Sequence, residues 1–181
     1  MELSTTLTFI GIFIIMEAFF SGSEIGMIAI NRIKMKQKAD EGNSSAERVL
    51  NLLNTPEKLF ATTSLGTNLA VVSSTSIFTA YMVTHMGSQG ELLAMIILSP
   101  IILFWGEIVP KMILQNRADT IMPIFIWPLE MSLRILSPII IFFTSISSFI
   151  TNKLFRLPQE NKKTFSRDQI LQVLSLDSQT I

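Results

Sequence analysis

Three long apolar stretches, residues 7–30, 59–86 and 91–114, dominate the chain, and each carries a polar knot within it or at its end. The knots are Ser21-Gly22-Ser23-Glu24, Ser64-Leu65-Gly66-Thr67-Asn68 and Gly106-Glu107-Ile108-Val109-Pro110-Lys111. Each stretch is long enough, as a helix, to span the ~30 Å hydrocarbon core of a bilayer. In lipid every backbone polar group must be satisfied internally, which leaves helices as the building block for segments of this kind. A carboxylate near hydrocarbon costs at least ~2.5 kcal/mol at mid-bilayer. Gly and Pro beside it loosen the helix and release carbonyl oxygens, which persist at membrane depth only where they line a cavity or bind something. The pattern predicts an all-α integral membrane domain with three transmembrane helices, partly broken, whose polar knots form one site for a hard cation.

Composition narrows the chemistry. The chain is 49% hydrophobic and has 14 basic and 14 acidic residues, with a mean hydropathy of +0.48. Balanced charge gives no reason to expect nucleic acid as a partner. The absence of cysteine excludes disulfides and thiolate metal sites, and a lone His85 argues against a His-rich zinc or iron centre. A metal site would have to use oxygen, which suits Mg²⁺, Ca²⁺, Mn²⁺ or Na⁺. The N-terminal apolar run has only Glu2 before it and no basic n-region or small-residue cleavage site, so a retained helix is expected, not a removed signal peptide.

Basic residues set the expected orientation. The loop after the first stretch holds Arg32, Lys34, Lys36, Lys38, Arg48 and Lys58, the turn Met86-Gly87-Ser88-Gln89-Gly90 holds none, and Lys111 and Arg117 follow the third stretch. This places the N-terminus outside and residues 31–58 and 111–119 in the cytoplasm, as expected for a multi-pass protein of the plasma (inner) membrane. Val49, Leu50, Leu52 and Leu53 point to short amphipathic helices on the membrane surface, and Thr55-Pro56-Glu57 reads as a helix start with Pro at its first position. Residues 120–152 are apolar but contain Pro123, Pro128 and Pro138, and Glu130 and Arg134 stand four apart, a spacing that allows an ion pair. A single crossing would carry the basic tail outside. A Pro-kinked juxtamembrane belt helix along the inner face is therefore expected, with a re-entrant pair or a fourth crossing as the alternatives. Residues 1–155 read as the transmembrane domain and 156–181 as a cytosolic linker, with Ile170, Leu171, Val173, Leu174 and Leu176 opening an amphipathic helix, toward a soluble region beyond it.

The knots supply the candidate ligands. Ser21, Ser23 and Ser64 offer hydroxyls, Asn68 an amide oxygen, and Glu107 a carboxylate, while Gly22 and Gly106 offer backbone carbonyls. Pro110 cannot donate to the carbonyl of Gly106 four residues earlier, which frees that oxygen to turn toward an ion. About six oxygens suit the octahedral demand of Mg²⁺. Each residue also has a plainer reading. Ser21 and Ser23 can bond back to helical carbonyls, Asn68 can join two helices, and Glu107 can pair with Lys111. The small residues of the second stretch serve close helix packing. Glu17 is a second intramembrane acid, assigned to an outer mouth or a subunit contact, and Glu24 is a solvated charge or a proton acceptor; both, with the polar residues of the second stretch, are also candidates for a sodium site. His85 is expected at the outer interface without a ligand role.

Phe20-Ser21-Gly22-Ser23-Glu24, then Thr55-Pro56-Glu57-Lys58-Leu59 with Gly66-Thr67-Asn68, then Gly106-Glu107-Ile108-Val109-Pro110-Lys111, resemble in order and spacing the transmembrane domain of the CNNM/CorC (cyclin M) family across residues 1–155. The resemblance implies a magnesium transporter, an exporter driven by the sodium gradient, built as a homodimer with three transmembrane helices and a juxtamembrane helix per subunit. It implies an ion site at Ser21, Ser23, Asn68 and Glu107. It also implies a following pair of ATP-binding CBS domains, so ATP control belongs to a region that this chain does not contain. The competing expectation is a Mg²⁺-sensing membrane anchor and dimerisation module without flux. Enzyme chemistry has little footing, because no Ser/His pair, HExxH motif or intramembrane aspartate pair is present.

Overall fold

The computed structural model describes residues 2–155, so the expected linker and its amphipathic helix lie outside the described residues. Met1–Ile140 form one compact unit, and the described remainder continues the last helix. Every regular element among the described residues is helical: α1 (Leu3–Ala29), α2 (Arg32–Asp40), α3 (Ser44–Leu53), α4 (Pro56–Met86), a 3₁₀ turn (Gly87–Gln89), α5 (Gly90–Ile101), a π-helical turn (Ile102–Ile108) and α6 (Val109–Phe155). The all-α expectation holds. The helical tracts Leu3–Ala29 and Pro56–Phe142 contain segments long and apolar enough to cross a membrane.

The breaks are fewer than the knots. Helix α1 passes through Ser21-Gly22-Ser23-Glu24 without interruption, and α4 passes through Ser64–Asn68 in the same way. A single Gly costs a helix about 1 kcal/mol, too little to break one that packing holds on both sides. Only the third knot departs from α geometry. There Pro110 removes a donor, and the preceding turn widens so that the N–H of Val109 reaches back five residues to the carbonyl of Phe104.

Helix α1 is the centre of the unit, packed against α4 and against the π turn. Small residues bring the helices close: a methyl group on Gly26 would overlap Met122, and one on Gly66 would overlap the ring of Phe20. Helices α4 and α5 form a hairpin around Gly87, which has φ 64°, and Phe78 and Met82 pack with Ile10, Ala94 and Leu98.

Helix α6 bends at Arg117, whose backbone (φ −124°, ψ 24°) leaves the helical region, while Pro123, Pro128 and Pro138 stay inside the helix. The kink falls between the third apolar stretch and the expected belt helix. Beyond it, Met122, Ile126 and Leu129 pack against Met35, Val49, Leu52 and Leu53 of the short surface helices and against Leu59. Four polar contacts close this seam. Asn31 caps α2 through its side chain and donates its own N–H to Asp119 Oδ1 at 2.9 Å. Lys34 pairs with Asp119 Oδ2 at 3.2 Å, and Lys38 donates to the Asp119 carbonyl at 3.2 Å. Arg48 pairs with Glu130 at 2.7 Å and lies over the Trp127 ring. The expected Glu130–Arg134 pair is thus replaced by a tertiary one, because α3 brings an arginine within reach. Pro56 opens α4 at its first position as expected, though Thr55 makes no side-chain cap.

Candidate functional site

The hydroxyl groups of the apolar helices divide into two kinds. Thr62, Thr63, Ser74 and Thr75 each donate to a carbonyl three or four residues earlier, the usual resting place of a helical hydroxyl. The hydroxyls of Ser21, Ser23 and Thr67 are buried and have no hydrogen-bond partner, although the same carbonyls are open to them. One carboxylate oxygen, Oε2 of Glu17, shares that condition. Nearly all buried polar atoms in folded proteins are paired, so four orphans around one helix and its neighbour need an explanation. An unmet buried group costs about 1–3 kcal/mol, and more when charged.

Glu17 is 1% exposed. Its carboxylate lies over the backbone of Gly106, in the place where any larger residue would put its Cβ. The wide π turn therefore does two things here: it presents a glycine to α1, and it lets a carboxylate rest directly against the turn. Ser21 stands one helical turn after Glu17, on the same face of α1. Gly22 faces Pro110 and Leu114. Ser23 is two residues from Ser21 and so points to another side of the helix.

The candidate ligands fall into three groups. Ser21, Gly22, Ser23 and Gly106 are buried where α1 meets the π turn and α4. Glu107 is half-buried and accepts a hydrogen bond from Lys111, the ion pair that its spacing allowed. Both charges nevertheless lie close enough to act on Glu17. Ser64 and Asn68 occupy the exposed face of α4 in the single chain. They do not share the burial of the serine knot. Among the described residues no three of His, Cys, Asp and Glu converge, so a metal site here would depend on hydroxyl, amide and carbonyl oxygens beside its carboxylates.

Two residues that matter were not in the ligand set read from sequence. Glu17 was assigned to an outer mouth, a subunit contact or a sodium site, and it is buried inside the unit. Thr67 was counted with the packing residues of α4. The spacing of Glu17 and Ser21, four apart on one helix, was the available signal.

The family model for the cyclin M transmembrane N-terminal domain matches residues 8–180. The chain belongs to the cyclin M family. It is 30% identical over 184 residues to the UPF0053 inner membrane protein YfjD of Escherichia coli K12, an alignment covering 91% of this chain and 43% of that protein. A UPF0053 protein of Haemophilus influenzae is 26% identical, with 96% of this chain and 41% of the relative covered. A protein of E. coli K12 named polyamine export protein is 28% identical, with 89% and 39% covered. The chain therefore spans about two fifths of the curated relatives it matches. Family membership and the apolar helices together make it a membrane protein.

Proposed function

We propose that this cyclin M domain exports Mg²⁺ across the plasma membrane, coupled to sodium entry, as a homodimer in which each subunit crosses the membrane three times with its N-terminus outside. The observation that carries this reading is the set of buried, unpartnered oxygens on Glu17, Ser21 and Ser23 of α1 and on Thr67 of α4, with the Glu17 carboxylate against the π turn. Acceptors without donors, held in an apolar surround, are what a partly dehydrated cation would complete. Hard oxygen donors and the lack of nitrogen and sulfur ligands favour Mg²⁺ over softer metals. The polar, outward face of α4 with Ser64 and Asn68 supports a subunit contact, since hydroxyl and amide groups fit poorly against lipid.

A second reading has its own support. The relative named polyamine export protein suggests that a diamine is the cargo. An ammonium group carries three donors and no acceptor, so it too would satisfy orphan acceptor oxygens. Proteoliposomes separate the readings. With a Mg²⁺-sensitive dye inside, the wild-type chain is expected to move Mg²⁺, and Asn68→Ala and Glu107→Ala to stop it. Flux of labelled putrescine without Mg²⁺ flux replaces the cargo. Mg²⁺ binding without flux of either reduces the domain to a sensor and anchor.

A further inference from the structure

Glu17 is the one fully buried acid in the described part of the unit, and its position is difficult to explain by packing. A carboxylate taken from water into an apolar surround costs several kcal/mol unless a cation or donors meet it. The nearest fixed cation is not available to it: Lys111 is paired with Glu107. Oε2 has no donor at all. Gly106 leaves open the volume that the carboxylate fills, so the turn is shaped around Glu17. Ser21, one turn on, presents a second unpartnered oxygen on the same helix face.

We propose that Glu17 is a direct ligand of the transported divalent cation, with the hydroxyl of Ser21 beside it, and that it supplies the negative charge which Glu107, held by Lys111, does not. This rests on the cation reading given above and deepens it. Glu107 alone, half-exposed and already neutralised by Lys111, would leave a divalent ion uncompensated. Glu17 and Glu107 together carry two negative charges, which match a divalent ion once Lys111 lets go of Glu107. Cargo binding then competes with the Glu107–Lys111 pair, and loading the site and breaking that pair become one event. No atom of Glu17 needs to move far, because its carboxylate already lies against the π turn.

The test uses the full chain purified in detergent, with thermal melting followed in a Mg²⁺ titration. Wild-type protein is expected to melt at higher temperature as Mg²⁺ is added. Glu17→Gln keeps the shape and removes the charge. It is expected to lose the Mg²⁺-dependent shift while melting at an equal or higher temperature without the ion, because an unmet buried charge has gone. A purely structural glutamate would give the opposite pair: lower melting without Mg²⁺ and an undiminished shift, and that result overturns the proposal. The second variant, Glu17→Asp, retains the charge on a shorter stem. Measured through the free Mn²⁺ signal in electron paramagnetic resonance, it is expected to bind Mn²⁺ about tenfold more weakly than wild type. Unchanged affinity also overturns the proposal. If wild-type protein neither shifts with Mg²⁺ nor binds Mn²⁺, the cation reading itself fails. If wild type does both and Glu17→Gln behaves identically, only the role of Glu17 fails.

Discussion

The unit holds two polar regions that obey opposite rules. At the seam between α6 and the surface helices, charges have partners: Asp119 with the Asn31 N–H and Lys34, and Arg48 with Glu130 and Trp127. Where α1 meets the π turn and α4, four buried oxygens have none. Both regions are built from ordinary residue types, although the charges of the seam keep part of their surface in solvent. The difference is completeness. A seam whose donors and acceptors cancel has finished its work on folding, and removing a member leaves a debt. A region of unmatched acceptors carries a standing cost in the folded chain and is stabilised only by what binds there.

The largest effect that would sharpen this contrast comes from the apolar support of the seam. Leu129 is fully buried against α2, α3 and Leu59. Leu129→Ala is expected to destabilise the unit by about 2–5 kcal/mol while leaving the Mg²⁺-dependent melting shift intact. Thermal melting with and without Mg²⁺ reads both quantities; a lost shift would mean that the two regions are one cooperative device. A smaller loss is expected from Asp119→Ala. Its two carboxylate oxygens serve Asn31 and Lys34, and its side chain keeps a quarter of its surface in solvent, so about 1–2 kcal/mol is expected, again without change in the ion response. Limited proteolysis at the junction of α1 and α2 would report the loosened end. No loss of stability would mean that the seam is held by its hydrophobic contacts alone.

Much of this was legible in the sequence. Long apolar runs allow little other than helices, and the sequence places the belt segment after residue 119, close to the kink at Arg117. The Glu107–Lys111 pair follows from four-residue spacing on a helix. Three things were hidden, each for a physical reason. Gly22 and Gly66 do not break their helices, because a glycine weakens a helix locally while packing across its whole length maintains it. Arg48 and Glu130 are 82 residues apart, and nothing local distinguishes that pair from Glu130 with Arg134. The role of Glu17 depends on Gly106 coming to lie beneath its carboxylate, a juxtaposition of two helices that spacing along either one does not encode.

The smallest expected effect is the most telling, because its sign differs between the regions. Ser21 is 2% exposed and its hydroxyl is unpartnered. In most buried sites a Ser→Ala change costs stability by breaking a hydrogen bond. Here there is none to break, and removing an unsatisfied hydroxyl relieves its desolvation cost. Ser21→Ala is therefore expected to leave the ion-free melting temperature unchanged or to raise it by the equivalent of up to ~1 kcal/mol, while shrinking the Mg²⁺-dependent shift. Ser74→Ala is the matched control, since that hydroxyl donates to the Val71 carbonyl at 3.0 Å and should give the ordinary small loss with an unaltered shift. Equal losses in the two variants would mean that Ser21 does have a partner in the membrane. The distinction between a finished seam and an open site would then fail at the residue where it is easiest to measure.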